Sequence, residues 1–548
     1  MSLLLVLAYL VLSFAIGMAA RRREDSRRKY VLGPGSGSLA LFATMAATNF
    51  SAFTVFGLSG AGYRIGWAYY PLMAIGTGLM ALSFFLIGMP LRRAAAAKSW
   101  VSPADFIADR YQSPALAKAF SLALIALTLP YLATQAMAGG KMIELVTGMP
   151  YALASFLVVG VTALYTFGGG FRTVAATDAL QLAVLLGGAG IAFISILTRV
   201  GGLEALGARV AAEAPGLLAR EGSGGSLPLA ALLGTWLLWL LADPMFPQLF
   251  QRFYAARDDW SLARTAALYP LATGSVFFLT IGIGVAGAVL VPGLSGPATE
   301  QVFTKLALGE GSGLLASVFI LAALAALMST MDSQLLSLSS MIVQDFFPTS
   351  SRRQRWDRVL IALLAGLAWL ASLWPPRLIL DFLSTLAFPG YAVLAPLVIA
   401  GLYGRTGAGA AGLMLATGLG AVLLEGAGIL RTAPVPQAVF NLGIQLLALL
   451  IWEIVTRGRR RSALALVRLR EEASLPWLAA ILAVALASSG LGSFGRQTNL
   501  VFGLPTWILS SALGCLALAL TFALWKRPAT MSATQVTTGE NPSCTQLP

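Results

Sequence analysis

The 548-residue chain is 57% hydrophobic and only 11% charged, with a mean hydropathy of +0.80, whereas soluble domains carry about 25% charged residues. Its net charge of +14 does not point to nucleic acid, because the basic residues fall in short clusters between apolar runs. With Cys515 and Cys544 as its two cysteines and no histidine, the chain has no disulfide framework, no thiol or imidazole metal cluster and no imidazole proton shuttle.

A helix needs about 17–25 apolar residues to cross a bilayer. About fifteen such segments are predicted, near 2–20, 37–60, 65–91, 115–143, 149–167, 174–199, 227–249, 264–291, 312–341, 357–374, 378–402, 407–430, 435–456, 476–494 and 504–525. The first reads as an anchor and not as a signal peptide, since Arg21, Arg22 and Arg23 follow the apolar run instead of preceding it. The second carries Ala47-Thr48-Asn49-Phe50-Ser51-Ala52-Phe53-Thr54, then Gly57, Gly60 and Gly62. The seventh carries Ala242-Asp243-Pro244-Met245-Phe246-Pro247, in which each proline removes a backbone donor. Irregular backbone at membrane depth is tolerated where protein or a water-filled cavity satisfies it. One such break would read as a kink between packed helices. Two, at matching places in successive five-helix blocks, predict an all-α inverted-repeat transporter with its site between the breaks.

The organisation expected is an anchor helix and basic loop over 1–36, a first repeat over 37–200 and an external loop over 201–226. A second repeat follows over 227–402, then two helices with a basic loop over 403–475, a two-helix hairpin over 476–527 and a disordered tail over 528–548. Basic residues concentrate in Arg21–Lys29, Arg92–Lys98, Arg252–Arg264, Arg352–Arg358, Arg457–Arg470 and Lys526–Arg527. Cytoplasmic loops are the basic ones, so these connections are placed inside, the amino terminus outside and the carboxy terminus in the cytoplasm.

The ninth segment holds Met328-Ser329-Thr330-Met331-Asp332-Ser333-Gln334. Adjacent hydroxyls with backbone carbonyls offer hard oxygen ligands for sodium without a fixed charge. Taken alone, such hydroxyls are better read as bonding back to their own helix or to a neighbour.

Several dispersed motifs now combine. They are Ala47-Thr48-Asn49-Phe50-Ser51 through Gly60, Tyr165-Thr166-Phe167-Gly168-Gly169-Gly170-Phe171-Arg172 through Gln181, Pro247-Gln248-Leu249-Phe250-Gln251-Arg252-Phe253, and Met328 through Leu336. In this order and spacing, residues 1–455 resemble the sodium:solute symporters, a family that includes bacterial proline, pantothenate, monocarboxylate and sugar symporters. The resemblance implies a leucine-transporter-like five-plus-five helix core with flanking helices. It also implies a sodium site from the carbonyls of Ala47, Phe50 and Ala326 and the hydroxyls of Ser329 and Thr330. Asn49 stands where the proline symporters carry a functional aspartate. Ser51 matches a residue near the substrate, and Asp178 an acid on the sodium exit path; a surface acid is the alternative for Asp178.

Around the breaks, Asn49, Ser51, Thr54, Gln135, Trp239, Asp243 and Phe246 are the expected substrate residues. Donors at a half-helix amino terminus would favour a carboxylate, yet Asp243 would repel one; it suits an amino group, a cation or a protonated state. The run Asn499 through Trp507 and the helix after it resemble small two-helix membrane proteins that accompany some of these symporters.

The function expected is sodium-coupled uptake of a small organic solute, a carboxylate or an amino acid, across the cell membrane. The bilayer, sodium and the solute are its partners, with no nucleic acid and no cofactor. Proton coupling is the alternative, since aspartates carry protons. An intramembrane enzyme is disfavoured because HExxH and GxSxG do not occur, and a nucleotide-driven pump because GxxxxGK[ST] does not. A transporter-like sensor would need an output domain, and the tail after Lys526 is short for one.

Overall fold

The computed structural model describes residues 2–21, 26–309, 313–347, 352–374, 383–404, 406–456, 475–496 and 499–525. Arg22, Arg23, Arg457–Arg470, Lys526–Arg527, Cys544 and the tail 528–548 lie outside them. The helices that matter are α1 (Ser2–Ala20), α2 (Ser38–Asn49), α3 (Phe53–Arg64), α4 (Tyr69–Lys98), α5 (Pro114–Thr147), α6 (Tyr151–Val200), α7 (Leu229–Met245) and α8 (Pro247–Ala255). They continue as α9 (Asp259–Leu290), α10 (Gly313–Phe346), α11 (Arg353–Ser372), α12 (Leu383–Tyr403), α13 (Ala408–Gly426), α14 (Gln437–Thr456), α15 (Leu475–Ser493) and α16 (Thr506–Leu524).

Eleven of these helices are long and apolar enough to span a bilayer alone, and α2/α3 and α7/α8 are bent pairs that do so together. At 50 residues, α6 is roughly 75 Å long, more than twice the hydrocarbon thickness. It divides at Gly170, whose backbone is left-handed (φ 62°), and a Cβ there would lie 2.4 Å from the Tyr30 carbonyl oxygen. Counting its halves separately and adding the 20-residue α11, whose first turns are charged, gives the fifteen crossings expected. The chain is a multi-pass membrane protein.

The bends are almost equal, 62° between α2 and α3 and 61° between α7 and α8. Four crossings follow each bent pair within its repeat. This is the five-plus-five inverted-repeat core, with α1 before it and α13 to α16 after it.

Helix α10 runs through the centre, against α2, α5, α6, α8 and α11. Small residues bring the first repeat onto the second: a Cβ on Gly62 would lie 2.3 Å from the Ile281 carbonyl oxygen, and one on Gly284 2.0 Å from that of Ser59. Backbones this close fix α3 to α9 by dispersion contacts that a larger residue would forfeit.

The α15/α16 hairpin is fastened to the core. Trp525 stacks on Phe85 of α4 at 4.5 Å, and Gly274 of α9 gives room to Cys515. Buried Arg220, from the 214–228 loop, donates to the Ser489 carbonyl at 2.8 Å and lies over the rings of Phe494 and Trp507.

Candidate functional site

Helix α2 stops at Asn49 because Phe50 is extended (φ −86°, ψ 111°). The last carbonyls of a helix have no partner one turn on, and here those of Ala47, Thr48 and Phe50 face α10. Ser329 Oγ is 2.8 Å from the Ala47 carbonyl and 2.9 Å from that of Ala326. Thr330 Oγ1 is 3.0 Å from the Thr48 carbonyl, 3.2 Å from that of Phe50 and 3.3 Å from that of Ala326. All five groups expected to hold sodium therefore meet in one buried place, and the Thr48 carbonyl joins them. The cluster carries no formal charge, while the negative end of the α2 dipole points into it, which suits a monovalent cation.

Beside this cluster, the two breaks enclose a narrow cavity of about 10 Å³. Asn49, Thr54, Trp239, Asp243 and Phe246 line it, as expected, together with Phe53, Met73, Thr77, Tyr131, Phe277 and Phe388. Asn49 Nδ2 donates to the Tyr269 hydroxyl at 2.6 Å and, more weakly, to Asp243 Oδ2 at 3.5 Å.

Ser51 and Gln135 stand outside that lining and do something else. The Ala52 N–H donates to Gln135 Oε1 at 2.9 Å, the Phe53 N–H to Ser51 Oγ at 3.2 Å, and the Ser51 N–H to Thr54 Oγ1 at 3.2 Å. Tyr131 also donates to Ser51 Oγ, at 3.0 Å. The first donors of the second half-helix, the feature expected to favour a carboxylate, are thus already engaged within the protein.

Asp178 is fully buried, which excludes a surface acid. It accepts from Thr44 and, at 3.1 Å, from Arg252 of α8. Arg252 in turn donates to Ser333 at 2.6 Å and to Thr44 at 3.0 Å, and Ser333 bonds the Thr48 hydroxyl at 2.9 Å. Asp332 lies alongside, accepting from Tyr165 at 2.9 Å and Thr177 at 3.2 Å. Because Ser333 is one turn beyond Ser329 and Thr330, this polar chain starts at the hydroxyl pair and runs away from the solute cavity.

Farther along α10, Arg27 clasps both oxygens of Asp357 at 2.8 and 3.0 Å, together with Gln344 Oε1 at 2.8 Å. Ser102 and Ser121 donate to Asp345 at 2.8 and 2.6 Å. These contacts sew together the end of the bundle where α5 begins. Roughly 30 Å away, at the other end of α5, lies a cavity of about 470 Å³ lined by Phe56, Met137, Lys141, Glu144 and Glu300 among others.

The sequence places Arg252 at the start of a basic cytoplasmic connection and gives Ser333 no role; Arg252 is instead buried within α8 and paired with Asp178, and an ionisable side chain inside a membrane segment is itself a functional signal. Nothing in the sequence singles out Tyr131, Tyr269 or Phe388, which reach the site only through the packing of distant helices.

Residues 30–420 match the family model described as "SSF: Sodium:solute symporter family". The sodium/pantothenate symporter of Escherichia coli (strain K12) is 29% identical over 76% of this chain and 88% of its own length. An osmoregulated proline transporter of Bacillus subtilis (strain 168) is 29% identical over 72% of this chain and 82% of its own. Among solved structures, a sodium-coupled sialic acid symporter in a substrate-bound outward-open state superposes with a TM-score of 0.70 at 19% identity, over 83% of this chain and 98% of that one. The nucleobase-cation-symport-1 family transporter Mhp1, closed on bromovinylhydantoin, gives 0.51 at 14% identity, over 92% and 95%.

Proposed function

This chain belongs to the sodium:solute symporter family and couples uptake of a small solute to sodium, and we propose that the two breaks are where both are held. Sodium sits among the carbonyls of Ala47, Phe50 and Ala326 and the hydroxyls of Ser329 and Thr330. The solute sits between Asn49, Thr54, Trp239, Asp243 and Phe246, while Ser51 and Gln135 hold the break in shape. The observation that carries this reading is the convergence of five uncharged oxygen groups from two helices, at the end of a half-helix, beside a narrow cavity.

Sodium alone supplies enough drive. One sodium ion moving down about 100 mV releases ~2.3 kcal/mol, and a tenfold gradient adds ~1.4 kcal/mol, sufficient together for a solute gradient of several hundredfold. The solute is a small organic molecule; relatives named for pantothenate and proline leave a carboxylate and an amino acid as the two classes to be told apart. The carrier lies in the cell membrane with its amino terminus outside and carboxy terminus in the cytoplasm. The Arg27–Asp357 end then faces the cytoplasm and is shut, while the Lys141–Glu144 cavity faces outside. On leaving, sodium passes Asp178 along the polar chain. It works as a carrier and not as an enzyme, with residues 37–200 and 227–402 as its repeats.

A proton-driven carrier of the same fold is the second reading, prompted by the buried carboxyls of Asp178, Asp243 and Asp332. Uptake into proteoliposomes with sodium and proton gradients imposed separately decides between them. Accumulation driven by a proton gradient in sodium-free buffer would overturn the sodium assignment.

A further inference from the structure

We propose that the solute cavity is built for a protonated amine, with Asp243 pairing the ammonium and the surrounding rings holding its apolar body. The inference rests on reading that cavity as the solute site. Among the lining residues Asp243 is the sole charged side chain, and no arginine or lysine is present to neutralise it. Arg252, the nearest cation along the chain, is committed to Asp178, Thr44 and Ser333.

Asp243 is fully buried, touches Asn49 through one oxygen at 3.5 Å, and its other oxygen has no partner. Buried carboxylates are ordinarily paired, and a buried polar atom without a partner calls for one. The Trp239 indole N–H and the Thr77 hydroxyl, lining the same cavity, also lack partners. Three unmatched polar groups around one small space are what a ligand would satisfy: one acid asks for a donor cation, and the other two for an acceptor.

The rest of the wall agrees. Trp239 and Phe388 lie 4.8 Å apart by ring centroid, Phe53 and Phe388 5.2 Å, and Phe246 and Phe388 5.8 Å. These rings pack on one another about Phe388 at the cavity wall, and an aromatic lining attracts a cation that meets a ring face. A solute whose only charge is a carboxylate would meet Asp243 as a like charge. It would also find the half-helix donors of Ser51, Ala52 and Phe53 occupied. The ligand class is therefore a small primary or secondary ammonium with an apolar body and one hydrogen-bond acceptor, as in an amino acid or an amino alcohol.

The test uses the full-length purified protein in saturating sodium, read by thermal stabilisation against three matched sets of probes. These are the apolar amino acids and proline, the amines left when their carboxyl is removed, and the acids left when their amino group is removed. Sodium-induced stabilisation without any solute is measured first, so failure of the ion reading shows separately from failure of this one. Expected is stabilisation by members of the two amine-bearing sets, with the deaminated acids weaker by at least roughly 100-fold. Asp243→Asn should weaken amine binding by roughly 10- to 150-fold, and Asp243→Glu should keep the preference for amines. Should Asp243→Asn fail to fold, the wild-type ranking alone decides. Stabilisation by the deaminated acids at least as strong as by the amines, no stabilisation by any amine, or undiminished amine binding in Asp243→Asn would each overturn the proposal.

Discussion

Removing one hydroxyl from the ion cluster separates a sodium ligand from a helix-packing contact. Ser329→Ala deletes the oxygen 2.8 Å from the Ala47 carbonyl, and Thr330→Val the one 3.0 and 3.2 Å from those of Thr48 and Phe50. Both replacements nearly preserve side-chain volume in a site that is buried throughout, so packing changes little. A hydroxyl that ligates a cation makes a charge-assisted contact of about 1.5–3 kcal/mol, and its loss lowers the apparent sodium affinity roughly 10- to 150-fold. If the same hydroxyl only joins α2 to α10, its loss costs ~0.6 kcal/mol of stability and leaves sodium dependence alone. The assay is sodium-dependent uptake, with sodium-induced thermal stabilisation beside it, for wild type and both variants at matched protein level. An unaltered sodium response in both variants refutes the site.

Other expectations follow from the same geometry. Single cysteines replacing Arg353 and Arg209 should react with impermeant thiol reagents from opposite sides, Arg353 from the cytoplasm; labelling from one side would overturn the topology. Arg252→Gln leaves buried Asp178 without its cation, a loss of ~3–5 kcal/mol, while adding Asp178→Asn should restore part of the melting temperature. Strict additivity of the two would show that the pair at 3.1 Å does not couple. Arg27→Ala unfastens Asp357, Gln344 and the Ser340 carbonyl at once, so a cysteine at Ser337 should label faster from the cytoplasmic side; an unchanged rate would show that Arg27 does not hold that end shut.

Hydropathy made the crossings legible because each is a long apolar run, and the breaks were legible because Pro244, Pro247 and a polar run through Asn49 violate helix rules at one place each. Position within a run also separated halves of α6 that form one continuous stretch of helix bent at Gly170. The ion cluster came from the family resemblance, which named two carbonyls at the first break, Ala47 and Phe50, with the Ala326 carbonyl and two adjacent hydroxyls on α10; the hydroxyls by themselves marked only a polar stretch of helix. The solute cavity was less legible. Gln135 and Ser51 looked like polar residues waiting for a ligand, yet they cap the half-helix beginning at Ala52, a use visible only once α5 is seen against the break. Phe388 joins the cavity wall from α12, some 140 residues beyond the second break, and an isolated phenylalanine in an apolar run carries no mark of that.

Coupling between ion and solute follows from how the first break is shared. Within residues 47–54, the carbonyls of Ala47 and Phe50 face the hydroxyls of α10, while the side chains of Asn49 and Thr54 face the cavity. On the proposed site, a sodium ion held by those carbonyls would fix the backbone on either side of Asn49, and hence the amide that touches Asp243 and Tyr269. An ion that favours this conformation lowers the cost of arranging the cavity, and by linkage a bound solute must tighten sodium by the same factor. The polar chain extends the argument towards the closed end. Thr48, between two carbonyls of the cluster, bonds Ser333, and Ser333 bonds the arginine paired with Asp178. Movement of α2 relative to α10 would therefore disturb the proposed ion cluster and the Arg252–Asp178 pair together, which on this reading makes release of sodium and opening of that end one rearrangement.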